Sequence, residues 1–216
     1  MTMNVFVLST GRCGSKTFER ACMHISNYTT AHESRVNQLG FERLNYPPNH
    51  IESDNRLSWF LGRLDRKFPN NVFYVHLVRK KDEVAASYAK RFGTGPDLIM
   101  NAYCGGIYID LPRDKHIWAL QIAQDYVDTV NSNIEFFLKN KQNKMTIHLE
   151  TIKDDFQIFW DNIDARGDLG AAINEFDVHY NNSENSVLLP APPLFSRGFA
   201  KCIRIIRKIP GFIRNA

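Results

Sequence analysis

Val72-Phe73-Tyr74-Val75-His76-Leu77-Val78 is a run of β-favouring residues, apolar except for His76, with no polar alternation. A strand with one wet face alternates between apolar and polar. A strand covered on both faces does not, and such strands belong to parallel sheets packed between helices. A shorter run of the same kind, Val5 to Leu8, opens the chain. Both runs end in cations. The first passes through Ser9 and Thr10 into Gly11-Arg12-Cys13-Gly14-Ser15-Lys16-Thr17, followed by a helix-compatible stretch from Phe18 to His24. The second ends at Arg79, followed by a stretch in which Asp82 suits a helix cap and Val84, Ala85, Tyr88 and Phe92 form an apolar stripe.

A strand, a glycine turn and a helix start provide what a phosphate or sulfate group needs. The first helical amides point outward without partners, and the helix dipole favours negative charge there. Glycine lets the backbone approach closely, while Arg12 and Lys16 add full charges. The segment departs from the Walker A pattern, because Ser15 stands where that pattern demands glycine and position 10 is threonine. Arg79 offers a two-pronged guanidinium for a second anion. Ser87, two turns into the next helix, offers a hydroxyl for the same group.

These two motifs resemble those of the sulfotransferases that use 3′-phosphoadenosine-5′-phosphosulfate (PAPS). In that family a loop like Gly11 to Thr17 binds the 5′-phosphosulfate. A strand-end arginine with a serine eight residues later, as in Arg79 and Ser87, binds the 3′-phosphate. The segment from Met145 to Ile152 is similar to the family's late strand with its acid, here Glu150. The resemblance spans about residues 4–165. It implies a P-loop-nucleotide-hydrolase-like sulfotransferase fold, and a binding set of Gly11, Arg12, Cys13, Gly14, Ser15, Lys16, Thr17, Arg79 and Ser87. Arg12 fills the place of the family's loop cation, so it is the expected catalytic cation at the bridging oxygen. Cys13 replaces a serine, and Lys16 stands where a hydroxyl is usual. A late glycine-rich, lysine-containing loop is missing, so the chain is more similar to compact bacterial carbohydrate or lipid sulfotransferases than to the cytosolic eukaryotic branch. Two pockets are expected, one for each charged end of the adenosine ligand, separated by the gap between neighbouring strand ends.

The 216 residues suit one domain, and 44% apolar with 23% charged residues is ordinary for a globular protein. No apolar run approaches the ~20 residues of a membrane span, and no leader pattern opens the chain, so a cytoplasmic location is expected. Cys13, Cys22, Cys104 and Cys202 form no Cys-x-x-Cys pair, and the seven histidines show no ligand spacing. No metal is expected. Cys13 sits near two cations, a setting that lowers a thiol pKa.

Along the chain, strands are expected at 28–31 and 144–149, and helices near 56–67, 115–139 and 156–163. A long glycine- and proline-containing loop or lid is expected over 93–114. Alternating strands and helices imply an α/β class: a three-layer α/β/α domain over residues 1–185 with a central parallel sheet and ligands at the strands' carboxyl ends. Residues 186–216 form a basic tail. Its six cations (Arg197, Lys201, Arg204, Arg207, Lys208 and Arg214) leave 21 basic against 23 acidic residues elsewhere, so the tail alone makes the net charge +4. Its amphipathic helical pattern allows contact with an anionic membrane at the inner face, with an acidic partner, or docking of Ile203 and Ile206 on the core.

Sulfuryl transfer needs a base for the acceptor hydroxyl and cations for the leaving phosphate. Glu33, just past the second strand where carbohydrate sulfotransferases carry a glutamate, is the first choice of base. His32 is the second, with an ordinary imidazole pKa suited to the task. The acceptor is expected to be a saccharide, a glycolipid or a small hydroxylated metabolite, and no nucleic acid is implied. Two other readings stay open: a small-molecule kinase using ATP and magnesium, which needs an acid where Arg79 stands, and a non-enzymatic, membrane-associated nucleotide-binding protein.

Overall fold

The computed structural model describes residues 2–92, 98–108 and 115–178. The chain divides into Met1–Tyr180 and Asn181–Ala216, and the elements below belong to the first part. The basic tail, residues 93–97 and 109–114 of the expected lid, and a boundary at 185 lie outside the described residues.

Five strands build one sheet: β1 (Asn4–Leu8), β2 (Thr29–His32), β3 (His50–Ser53), β4 (Val72–Val78) and β5 (Lys144–His148). Their order is β2-β3-β1-β4-β5 and every pairing is parallel. The central strand β1 registers Val5 opposite Ile51 on one side and Phe73 on the other. All five of its residues are buried, which explains the unbroken apolar run from Val5 to Leu8.

Helices cover both faces, and the two-residue period of the strands assigns side chains to them. From β4, Phe73 packs on Phe159 of α6 (Ile152–Asn162), with ring centroids 6.3 Å apart. Its neighbour Tyr74 turns the other way and meets Phe137 of α5 (Lys115–Leu138) at 5.2 Å. On the α6 face, Phe18 of α1 (Ser15–Cys22) sits between Phe156 and Phe159 at 5.4 and 5.3 Å. On the α5 face, Phe6 packs against Tyr46, Phe68 and Tyr74. Helices α2 (Leu61–Lys67), α3 (Lys81–Ala89), α4 (Leu98–Ala102) and α7 (Leu169–Asn174) complete the fold. This is the three-layer α/β/α class with a central parallel sheet that the apolar runs predict.

Several elements differ from the sequence reading. Strand β3 carries no strand signal in the sequence: His50, Glu52 and Ser53 interrupt its apolar pattern, yet all four residues are buried. The helix expected over 56–67 divides into a 3₁₀ turn, Asn55–Trp59, and α2, with Phe60 between them at φ −121°. Asp82 does not cap α3. Lys80 holds that position, and Asp82 stands in the first turn, where a carboxylate still favours the helix dipole. Within the expected lid, residues 98–108 form α4 and a wide π turn over Tyr103–Ile107.

Candidate active site

The carboxyl ends of the five strands deliver the polar residues of the site to one edge, on either side of the switch where β1 separates β3 from β4. After β1 the chain makes a tight loop with φ +81° at Gly11, +61° at Arg12 and +78° at Gly14. Glycine is required at both of its positions. A Cβ on Gly11 would fall 2.5 Å from the Tyr88 hydroxyl and 2.9 Å from Asn55 Nδ2, and one on Gly14 would lie 2.8 Å from Leu149 Cδ1. The Tyr88 and Tyr126 hydroxyls both donate to the Thr10 carbonyl, at 2.7 and 2.8 Å, and the Gly11 amide donates to Ser9 Oγ at 3.1 Å. The loop is therefore held rigidly from α3 and α5.

Helix α1 then begins at Ser15, with no side-chain cap on its amides and no acid in its first turn. That opening suits an anion rather than a protein side chain. Lys16 is exposed on this turn, and Thr17 is half-buried. Ser15 Oγ lies 3.0 Å from His32 Nε2 at the end of β2, so one of the two candidate bases touches the loop.

On the other side of the loop, Arg12 Nε donates to Ser87 Oγ at 3.1 Å, and Arg79 Nη1 donates to the Arg12 carbonyl at 3.4 Å. Residues from the first and second motifs, far apart in sequence, thus touch directly. The Arg79 guanidinium and Ser87 therefore lie on the same side of the molecule as the Gly11–Thr17 turn, with Arg12 reaching across to α3. Arg79 is also gripped by Glu83, with Nε and Nη2 at 2.8 and 2.7 Å from Oε2. Beside Arg79 a groove of about 480 Å³ runs between β4, β5 and α5, with His76, Asn131, Glu135 and His148 along it.

Glu33 follows His32 with φ +51°. Its amide donates to the Ser53 carbonyl at 3.0 Å, and its carboxylate meets Arg56 Nη1 at 2.8 Å. Neighbouring Ser34 is held by the buried Glu52, which accepts its amide and hydroxyl, both at 2.7 Å, and also meets His50 Nε2 at 3.0 Å. Asp54 accepts from the Arg56 amide at 2.8 Å and from Arg43 at 2.6 Å. Burial pushes the Asp54 carboxyl up, against the opposing pull of Arg43.

Cys13 corrects another expectation. Burial, opposed by its Thr10 hydrogen bond and the Arg79 charge, raises its thiol pKa instead of lowering it. Its sulfur turns inward to the Gly11 carbonyl and Thr10 Oγ1, both at 3.2 Å. Glu150 accepts the Lys80 amide at 2.9 Å and so braces the Arg79 turn.

Sequence reading missed Asn55, Arg56, Glu52, Tyr88 and Tyr126 as parts of this edge. For the tyrosines a signal was present: a buried tyrosine in an apolar stripe needs a partner for its hydroxyl. For Asn55 and Arg56 there is none, because they stand in the 3₁₀ turn that follows β3, a strand without an apolar pattern. Among the described residues no group of three or more His, Cys, Asp or Glu side chains is placed to hold a metal ion. No described helix is long and apolar enough to cross a membrane.

No protein-family model and no curated protein matches the chain. Among solved structures, it is similar to a mouse sulfotransferase, SULT7A1, complexed with PAP, at 16% identity and a TM-score of 0.45. The match covers 84% of this chain and 60% of the mouse chain, so this chain spans less than two thirds of that protein's length.

Proposed function

We propose that this chain is a PAPS-dependent sulfotransferase of the compact bacterial carbohydrate or lipid type. It moves a sulfuryl group to a hydroxyl on a saccharide or glycolipid, in the cytoplasm or at the inner membrane face. The observation that carries this reading is the direct meeting of Arg12, Ser87 and Arg79 beside an uncapped helix start. A ligand with two separate anionic groups would be met by cations and hydroxyls at both ends. The backbone supports the same reading. Arg12 and Glu33 both hold left-handed conformations that cost roughly 1–2 kcal/mol per residue, and such strain clusters at functional sites.

In the proposed reaction the acceptor oxygen bonds to sulfur as the bond from sulfur to the 5′-phosphate oxygen breaks. The acceptor proton passes to Glu33, and negative charge returns to the phosphate. Arg12, Lys16 and the amides of residues 14–17 meet that charge, a contribution of about 3 kcal/mol or more to the barrier. His32, hydrogen-bonded to Ser15, is the second candidate for the base.

Calorimetry with adenosine 3′,5′-bisphosphate and with ATP plus magnesium tests the assignment. The bisphosphate is expected to bind tightly without metal. A preference for ATP, or a magnesium requirement, overturns it. With a sulfuryl donor and a turned-over acceptor, Glu33→Gln is expected to lose about 10²–10⁴ in turnover while keeping its nucleotide affinity.

A further inference from the structure

The segment leaving Glu33, residues 34–45, carries large apolar side chains into solvent. Val36 is 44% exposed, Leu39 88% and Phe41 64%. Exposed apolar residues are common singly, but three within six positions on one loop mark a contact surface. This loop is fixed rather than free. Arg63 of α2 donates to the Gly40 carbonyl, the Lys67 ammonium lies 3.8 Å from the centre of the Phe41 ring, and Arg35 donates to the Glu42 carbonyl at 3.2 Å.

Between loop and helix lies a cleft of about 250 Å³, lined by Phe41, Leu44, Arg63, Arg66 and Lys67. The lining is three cations and two apolar residues, with no acid. The loop's single acid, Glu42, is turned to Arg35 at 3.7 Å. Among the described residues no carboxylate pairs with Arg63, Arg66 or Lys67, and apolar tips flanked by such cations match the layering of an anionic bilayer, with acyl chains below and phosphates above.

We propose that this face docks on an anionic membrane. Leu39 and Phe41 enter the headgroup boundary, and Arg63, Arg66 and Lys67 take lipid phosphates. The proposal is independent of the sulfotransferase assignment and of the residues beyond 180.

The test is co-sedimentation of the full-length chain with vesicles of phosphatidylcholine alone or mixed with phosphatidylglycerol. Binding is expected on the anionic vesicles and is expected to weaken with added salt. Leu39→Ser with Phe41→Ser, and separately Arg66→Glu with Lys67→Glu, are each expected to weaken it by about tenfold or more. These side chains are exposed, so unchanged thermal midpoints are expected to accompany the loss. Absence of wild-type binding overturns the proposal. So does wild-type affinity in both variants, which would transfer any membrane contact to another part of the chain. Tight binding to soluble polyglutamate without vesicle binding overturns the lipid as occupant.

Discussion

Arg12 and Glu33 stand apart from the other residues that turn left-handed. Among the described residues, the remaining non-glycine positions with positive φ are Asn49, Asn71 and Asp164, residue types that tolerate the conformation. An arginine and a glutamate gain nothing there by themselves, and each is held by its surroundings: Arg12 by Ser87 and Glu33 by Arg56. Arg79 belongs to the same cluster, and its role is separable. Arg79→Ala is expected to weaken adenosine 3′,5′-bisphosphate by about tenfold to a hundredfold. A ligand lacking the 3′-phosphate is expected to lose much less, and equal losses would remove Arg79 from that role. Elsewhere, the buried Tyr74 hydroxyl has no hydrogen-bond partner among the described residues. Tyr74→Phe should therefore leave stability unchanged or raise it by about 1 kcal/mol, read as a higher urea midpoint.

At the scale of elements, the β1 loop and α1 are placed by packing on one face and by glycine geometry at the turn. Phe18 is fully buried between Phe156 and Phe159. Phe18→Ala is expected to cost about 3–5 kcal/mol, measured by chemical unfolding. Gly14→Ala adds a Cβ in the left-handed region against Leu149, with an expected cost of about 1–2 kcal/mol and weaker nucleotide binding. These elements were the legible ones. Val5–Leu8 and Val72–Val78 announced buried strands because nothing polar interrupts them except His76. The glycines after the first run announced a tight turn between strand and helix. Strand β3 was hidden because its buried residues include His50, Glu52 and Ser53, whose polarity is satisfied by Thr29, Ser34 and Ser15 from other segments. With β3 went Asn55 and Arg56, the neighbours of Gly11 and Glu33. The contact between Arg12 and Ser87 was equally hidden, since side-chain reach across a sheet edge depends on strand order and not on spacing in sequence.

At the scale of the whole molecule, the core contains an imidazole. His76 is nearly inaccessible and meets Asn131 Oδ1 through Nε2 at 3.1 Å. Burial lowers its pKa, against the opposing influence of Asn131 and Glu135. The unfolded chain accepts a proton there below about pH 6.5, whereas the folded ring resists it. Stability is thus expected to fall as pH drops below that value, until the folded ring titrates too. The slope of the urea midpoint between about pH 7.5 and about pH 5.5 should be shallower in His76→Gln. An unchanged slope would assign the acid sensitivity to other groups.

The position of β1 in the middle of the sheet sets the order in which the protein can assemble during synthesis. Its first neighbour, β3, begins only at His50, its second ends at Val78, and the Tyr126 hydroxyl that clamps Thr10 arrives later still. At about 5–20 residues per second, β1 spends several seconds outside the ribosome with both edges bare. The loop between β1 and α1 is therefore fixed only after residues far along the chain have emerged.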